Sequence, residues 1–547
     1  MVRRVIVALT RPIQGLHEAA YLLAVFTVLS QVLALVRDRT FAHLFGAGPT
    51  LDSYFAAFRV PDLVFAFLTL FVSSFALIPL LSARNEKEQG VLIGNVLLAF
   101  GIASVTVSFL LWIFMPSIIP LLFPGFSGET LANTTMLSQI MLLQPIVLGF
   151  SSIASSVIQV LRRFVIYAVA PILYNVGIII GALFLYPSLG VAGLAWGVVL
   201  GAFLHLMTQV AFLLRTARHM VVPTMASLKA SIVEVALPSV PRSLALWAHQ
   251  IVLLVFVGIA SLTAAGSVAT LSFALNLQSV PLSIVGLSYA AAIFPALSAL
   301  YSSDQFQNFT REVWASIRHI IFWTLPAIAF IIVLRAQIVR VILGSGEFSW
   351  SDTRLTAAIL ALFAVSLVSQ ATILIFSRAY YAAKETLTPI IVNVAGALLA
   401  GVAAYFGVLW VQTVDFPRYV LESLFRVSGT PGTEVLMIPL AYSAMITISS
   451  LVFAFLFARR FGGDQSVWRT IGHSFAASTI GAAAAYVGLQ VLAPLLPTDT
   501  FLGIFTQGLG AGLVGGIVWL GMLVLLKSVE FSEIVSLASR RLQSPNA

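Results

Sequence analysis

Long apolar runs separated by short polar turns set the organisation of this chain. Each run is about 20 residues or more and lacks a two-residue alternation, so the pattern predicts membrane-spanning α-helices rather than barrel strands. About fourteen spans are expected, the first over 18–38 and the last over 503–527. The longest connection runs from Val411 to Glu434, where Pro417, Gly429, Pro431 and Gly432 predict turns. No stretch reads as a soluble domain. The basic, weakly amphipathic start MVRRVIVALTRPIQGLHEAA has no clear cleavage site and is expected to be a retained cytoplasmic segment.

Composition agrees with this pattern. Of 547 residues, 60% are hydrophobic and only 9% charged, with mean hydropathy +1.04. A soluble domain is about half apolar and a quarter charged, so the chain reads as a polytopic membrane protein. The net charge of +9 reflects Lys and Arg in cytoplasmic loops rather than a nucleic-acid surface. With the N-terminus placed inside, loop Lys and Arg favour that side by about four to one, which also puts the C-terminus inside. The chain has no Cys, so disulfides and thiolate chemistry are excluded.

Charge is nevertheless concentrated in one stretch, Ser30 to Ser82. Arg37, Asp38, Arg39, Asp52, Arg59 and Asp62 all fall where the first two spans meet. An ionisable group at membrane depth is costly and normally faces a cavity or a partner. These charges either set topology at an interface or line a polar cavity that receives a charged substrate. Farther on, Arg242 is read as a snorkelling interfacial charge or a second cationic contact, His249 as a polar helix contact, and Glu234 as an interfacial residue.

The chain repeats itself. PILYNVG at 171–177 returns as PIIVNVA at 389–395, AAFRVP ending at Pro61 as FALNLQSVP ending at Pro281, and IPLLSA from Ile78 as FPALSA from Phe294. The offsets are all about 218 residues and enclose six spans, so the copies share one orientation. Parallel repeats of this kind frame a substrate site between two lobes. The expected architecture is all-α: an N-lobe over 1–220, a C-lobe over 221–462 related by a pseudo-two-fold along the membrane normal, and two further helices with a tail over 463–547. Gly193, Gly197 and Gly201, and again Gly508, Gly512 and Gly516, recur every four residues and predict close helix contacts within the chain.

Enzyme signatures are missing. There is no phosphate-binding G-x-x-x-x-G-K-[ST] loop, no H-E-x-x-H and no Cys/His metal cluster, so neither metal nor other cofactor is expected. Asp38 and Asp52 flank a short turn and make a poor catalytic pair. A transporter is the expected class.

Five segments carry a family resemblance: VRDRTFAHLFGAGPTLDSYFAAFRVPDL at 36–63, QVLRRFVIYAVAPILYNVGIIIGALF at 159–184, GVAGLAWGVVLGAFLHL at 190–206, GSGEFSWSDT at 344–353 and SRAYYAAKETLTP at 377–389. They make the chain similar to the MurJ/MviN family of lipid II flippases, within the multidrug/oligosaccharidyl-lipid/polysaccharide exporter superfamily. The resemblance implies fourteen helices in the bacterial cytoplasmic membrane, alternating access, and movement of an undecaprenyl-pyrophosphate disaccharide-peptide to the outer leaflet for peptidoglycan synthesis. It implies membrane lipids as surroundings, cell-wall synthesis proteins as neighbours and a monomer. Arg suits a pyrophosphate because its planar fork engages two oxygens and stays charged. Arg37, Arg59 and Arg242 are therefore expected to contact that group, Asn175 to hydrogen-bond within the cavity, and Asp38 and Asp52 to form ion pairs or gate the lobes. The chain departs from the family's charge pattern at Gln31, Phe65, Ala66, Leu70, Asn276 and Ser279. These departures leave open another polyprenyl-linked glycan as cargo, a cation-coupled drug exporter of the same superfamily, or a non-transporting scaffold.

Overall fold

The computed structural model describes residues 16–214, 225–497 and 500–543, and among them there is helix but no strand. Among the described residues twelve helices are long and apolar enough to cross a membrane, and a pair bent by 41°, Trp350–Val365 with Leu367–Ala382, brings the number to thirteen when counted as one span. The chain is thus a multi-span helical membrane protein. The expected span over 232–258 falls within the helix Met225–Ser261, whose described apolar part is Leu246–Ser261; the side chains at 241, 242, 244 and 245 lie outside the described residues.

The chain divides into two compact units, up to Ala269 and from Thr270. In the first unit, α1 is Leu16–Phe45. The second span is broken into α2 (Pro49–Ala57), α3 (Arg59–Val72) and α4 (Ser74–Ser82). The first break follows from Pro61, which has no N–H to offer the Ala57 carbonyl one turn back. The Ser138 hydroxyl donates to that carbonyl instead, at 3.4 Å. The second break is Ser73, whose backbone is extended. Then come α5 (Glu86–Leu122), opened by a reciprocal cap between Asn85 and Glu88, α6 (Gly128–Met141) and α7 (Leu143–Val160). The unit continues with α8 (Phe164–Ile180), α9 (Ala192–Leu213) and α10 (Met225–Ser261).

Glycines decide how α8 and α9 meet. A Cβ on Gly197 would lie 2.5 Å from the Gly181 Cα, and one on Gly177 would lie 2.3 Å from the Gly201 Cα. The backbones therefore touch along the expected Gly193–Gly197–Gly201 stripe, and Gly177 and Gly181 are its partners. This contact fixes the face of α8 that carries Tyr174 and Asn175. On the other side of α9, His205 pairs with Ser151 at 2.7 Å and Gln209 accepts from Ser155 at 3.1 Å, a polar ladder that ties α9 to α7.

The second unit starts on α11 (Ser267–Pro281), which carries the chain from the first unit, and continues through α12 (Ser288–Ser302) into α13 (Phe306–Leu343). The bent span follows as α14 (Trp350–Val365) and α15 (Leu367–Ala382), then α16 (Leu387–Thr413), α17 (Asp415–Phe425), α18 (Met437–Phe461), α19 (Ser466–Leu492), α20 (Phe501–Leu525) and α21 (Val529–Gln543). Trp314, Phe376, Phe453 and Phe457 form the aromatic centre of its core. The GSGEFSWSDT motif resolves into a capping box: the Asp352 amide donates to the Ser349 hydroxyl at 3.1 Å and the Ser349 amide to the Asp352 carboxylate at 2.9 Å.

The later glycine stripe behaves differently from the first. A Cβ on Gly508 would lie 3.2 Å from the Gln337 Cβ of α13, a snug side-chain contact, Gly512 faces Leu334 at ordinary packing distance, and Gly516 faces open space. The tight approach is one residue over, where a Cβ on Gly515 would lie 2.7 Å from the Gly481 carbonyl oxygen. Spacing alone identified the helix but not the face. Near the α18–α19 turn, burial pushes the Asp464 carboxyl up. The Ser466 hydroxyl and amide and the Arg318 guanidinium outweigh that and hold it below the usual carboxylate range. Glu530 of α21 is buried against Thr470 at 2.5 Å and Ser528 at 3.0 Å, which seats the last helix on α19.

Candidate functional site

The polar knot assembles in the first unit around the end of α1. Arg37 donates through Nε and Nη2 to Asp38 Oδ1, at 3.0 and 2.8 Å, and through Nη1 to Asn175 Oδ1 at 3.1 Å. Asn175 in turn donates to the Pro171 carbonyl at 3.1 Å, which holds its amide in one orientation. Asp38 is 2% exposed and the Arg37 side chain 19%. Charges this deep require pairing and complete hydrogen bonding. Three of the five guanidinium donors are used in these contacts, and the guanidinium remains partly accessible. Tyr54 and Tyr174 flank the same pair electrostatically.

Arg59 lies one span away, at the start of α3. Its Nε is buried and has no hydrogen-bond partner, and Asp62, three residues on and so on the same helix face, interacts with its charge. Gln144 of α7 borders Asp62, and His249 of α10 lies within electrostatic reach of Arg59. The structure therefore brings Arg37, Asp38 and Asn175 into one hydrogen-bonded group and puts Arg59 in a second group with Asp62, Gln144 and His249. Arg242 is on α10, and its side chain is outside the described residues.

Asp52 takes a different position. Its carboxylate accepts from the Gly266 amide at 2.6 Å and the Ala269 amide at 2.8 Å, and it is 2% exposed. These are the free amides at the start of α11, where a negative charge also meets the positive end of the helix dipole. Gly266, at φ +88°, makes the turn that aims them. Replacing Asp52 with Ala leaves two buried donors unpaired, an expected cost of about 1–3 kcal/mol each, whereas Asp52→Asn keeps one acceptor oxygen. Thermal unfolding in detergent is expected to rank wild type above Asn above Ala.

The departures from the family charge pattern also have locations. Gln31 lines a crevice of about 180 Å³ with Leu23, Phe26, Thr27, Tyr167 and Pro171, between α1 and α8. Ala66 and its neighbours meet α10: Trp247 donates through Nε1 to the Ala66 carbonyl at 2.7 Å and stacks on Phe67 at 5.1 Å, and Thr69 pairs with Ser243 at 3.2 Å. In α11 the Ser279 hydroxyl turns back to the Asn276 carbonyl at 2.7 Å. Glu234, read as interfacial, is bound by Arg84 at 2.5–2.6 Å.

Sequence reasoning placed Asp62 in the polar knot without giving it a role, and did not single out Gln144, Tyr54 or Tyr174. The pairing of Asp62 with Arg59 could have been read from their three-residue spacing. Gln144, on a separate span, had no local signal.

A family model described as Lipid II flippase MurJ matches residues 41–505. The "Probable lipid II flippase MurJ" of Buchnera aphidicola subsp. Acyrthosiphon pisum is 28% identical over 376 residues, covering 67% of this chain and 73% of that protein. The corresponding Vibrio cholerae protein is 27% identical over 414 residues, covering 72% and 78%. Among solved structures, lipid II flippase MurJ in an inward closed conformation superposes with TM-score 0.70 at 21% identity over 94% of this chain and all of that one. An inward-facing multidrug resistance MATE transporter superposes with TM-score 0.64 at 17% identity, over 81% of this chain and 95% of that one. These two similarities establish a shared fold.

Proposed function

The chain belongs to the lipid II flippase MurJ family, and on that premise we propose that it moves lipid II from the inner to the outer leaflet of a bacterial cytoplasmic membrane. The observation that carries this reading is the buried Arg37–Asp38–Asn175 group, in which a guanidinium is held in a fixed orientation and stays partly accessible. A pyrophosphate headgroup cannot cross hydrocarbon unaided and needs such fixed, charged donors in place of water. In this reading Arg37 engages the pyrophosphate, with Arg59 and Arg242 as further cationic contacts, and Asn175 orients Arg37. Asp38 holds the Arg37 side chain, and Asp52 steadies the start of α11. The transport halves are 1–220 and 221–462, with 463–547 as two further helices and a tail, and access alternates between the halves with both termini cytoplasmic. The protein acts as a monomer beside cell-wall synthesis proteins and carries out no catalysis of its own.

A second reading keeps the fold and changes the cargo to another polyprenyl-linked glycan. Gln31, Phe65, Leu70, Asn276 and Ser279 favour it, because each is neutral where the family pattern is charged. Expression in a bacterium depleted of its own lipid II flippase separates the two. The first reading predicts restored growth and cell shape. No restoration by correctly inserted protein contradicts it and favours the second.

A further inference from the structure

The long connection between α16 and α18 contains a helix whose polarity is inverted for a surface in water. In α17, Phe416, Tyr419, Val420 and Leu424 recur three and four apart and so share one face. They are 75%, 64%, 47% and 67% exposed. The charged side is turned toward the protein instead. Glu422 is buried and accepts from Arg418 Nε at 2.8 Å and from the Thr433 hydroxyl at 2.6 Å, and Arg418 also reaches Glu434 at 3.4 Å. Arg354 of α14 holds the end of the helix by donating to the Arg426 and Ser428 carbonyls, at 2.8 and 3.3 Å. The groups that water would solvate are thus bound by the protein, and those it would expel are presented outward.

The neighbouring span says what covers that face. Ile391, Leu398, Val402, Phe406 and Trp410 form an exposed apolar stripe along α16, and Val414, also exposed, carries it into Phe416. Glu385 and Asp415 bracket α16 with no charged residue between them. The 27 residues of α16 rise about 40 Å, the thickness of a bilayer with its headgroup regions, so α17 begins at headgroup depth. Trp410, one turn before the end of α16, is a residue type enriched at that level. An amphipathic helix at this depth, with its apolar face continuing a lipid-facing stripe, has lipid as its partner.

We propose that α17 is an interfacial helix, its apolar face sunk into the boundary between headgroups and acyl chains of the leaflet at that end of α16. The face is covered by lipid, whichever cargo the transport path carries. The chain has no Cys, so single cysteines can be labelled with the environment-sensitive fluorophore NBD in the full-length protein. The variants are F416C, V420C and L424C, all at exposed positions, with V402C near the middle of α16 as the deep reference. Each is reconstituted in phosphatidylcholine nanodiscs that contain a lipid spin-labelled at acyl carbon 5 or 12, and iodide is the aqueous quencher. At the three α17 positions the 5-doxyl lipid is expected to quench at least twofold more than the 12-doxyl lipid, with the reverse order at V402C and little quenching by iodide at any of the four. Strong iodide quenching without lipid quenching on α17 puts the face in water and overturns the proposal. Protection from both quenchers overturns it as well, because protein would then cover the face. So does equal or stronger quenching by the 12-doxyl lipid, which would sink α17 into the hydrocarbon core.

Discussion

Arg37→Ala is expected to abolish rescue of a flippase-depleted bacterium and also to destabilise the protein. Removing the guanidinium takes its ion-pair partner from Asp38, which is 2% exposed. Breaking one side of a buried ion pair costs about 3–5 kcal/mol. Asn175 loses the donor to its Oδ1 at the same time, although its bond to the Pro171 carbonyl survives. Arg37→Lys keeps the charge but loses the fork that reaches Asp38 through two nitrogens and Asn175 through a third. It should fold better than the Ala variant and transport poorly. Abundance in membranes and growth rescue, measured together, separate the two effects.

The second large effect is expected at Gly197. A Cβ added there would lie 2.5 Å from the Gly181 Cα and 3.2 Å from the Gly177 carbonyl oxygen, so the obstruction is backbone and cannot rotate away. Gly197→Leu must force α8 and α9 apart. Overpacking costs about 1–3 kcal/mol where side chains can adjust, and more is expected where they cannot. Separation of α8 also moves Tyr174 and Asn175 away from Arg37. The expected outcome is loss of folded protein by size-exclusion profile in detergent. Gly516→Leu is the control: its Cβ has nothing within 4 Å, and it should behave as wild type.

The contrast between those two glycines shows what could be read from sequence. Spans follow from composition averaged over about 20 residues, so apolar runs revealed nearly all of them. The Arg37–Asp38 pair was legible because its members are adjacent, and Asn175 because its segment recurs in the repeat and in the family pattern. The partners of Asp52 were not legible. They are backbone amides 214 and 217 residues away, and every residue but proline carries one. Equally hidden was the packing of Trp247 on Phe67, since a Trp in an apolar run carries no mark of what it will touch. Four-residue glycine spacing predicts that a helix is approached closely. It does not say from which side, and the later stripe was displaced by one residue.

The central claim is that the Arg37 guanidinium contacts the cargo rather than merely balancing Asp38. The most direct test removes both charges together. Arg37→Met with Asp38→Leu replaces the pair by apolar groups, which is often neutral or stabilising for a buried pair. The measurement is translocation of fluorescent lipid II in proteoliposomes, beside the wild type at matched thermal stability. Loss of translocation by the stable double variant is the predicted result. Translocation at the wild-type rate would contradict the account and reduce the pair to a structural contact.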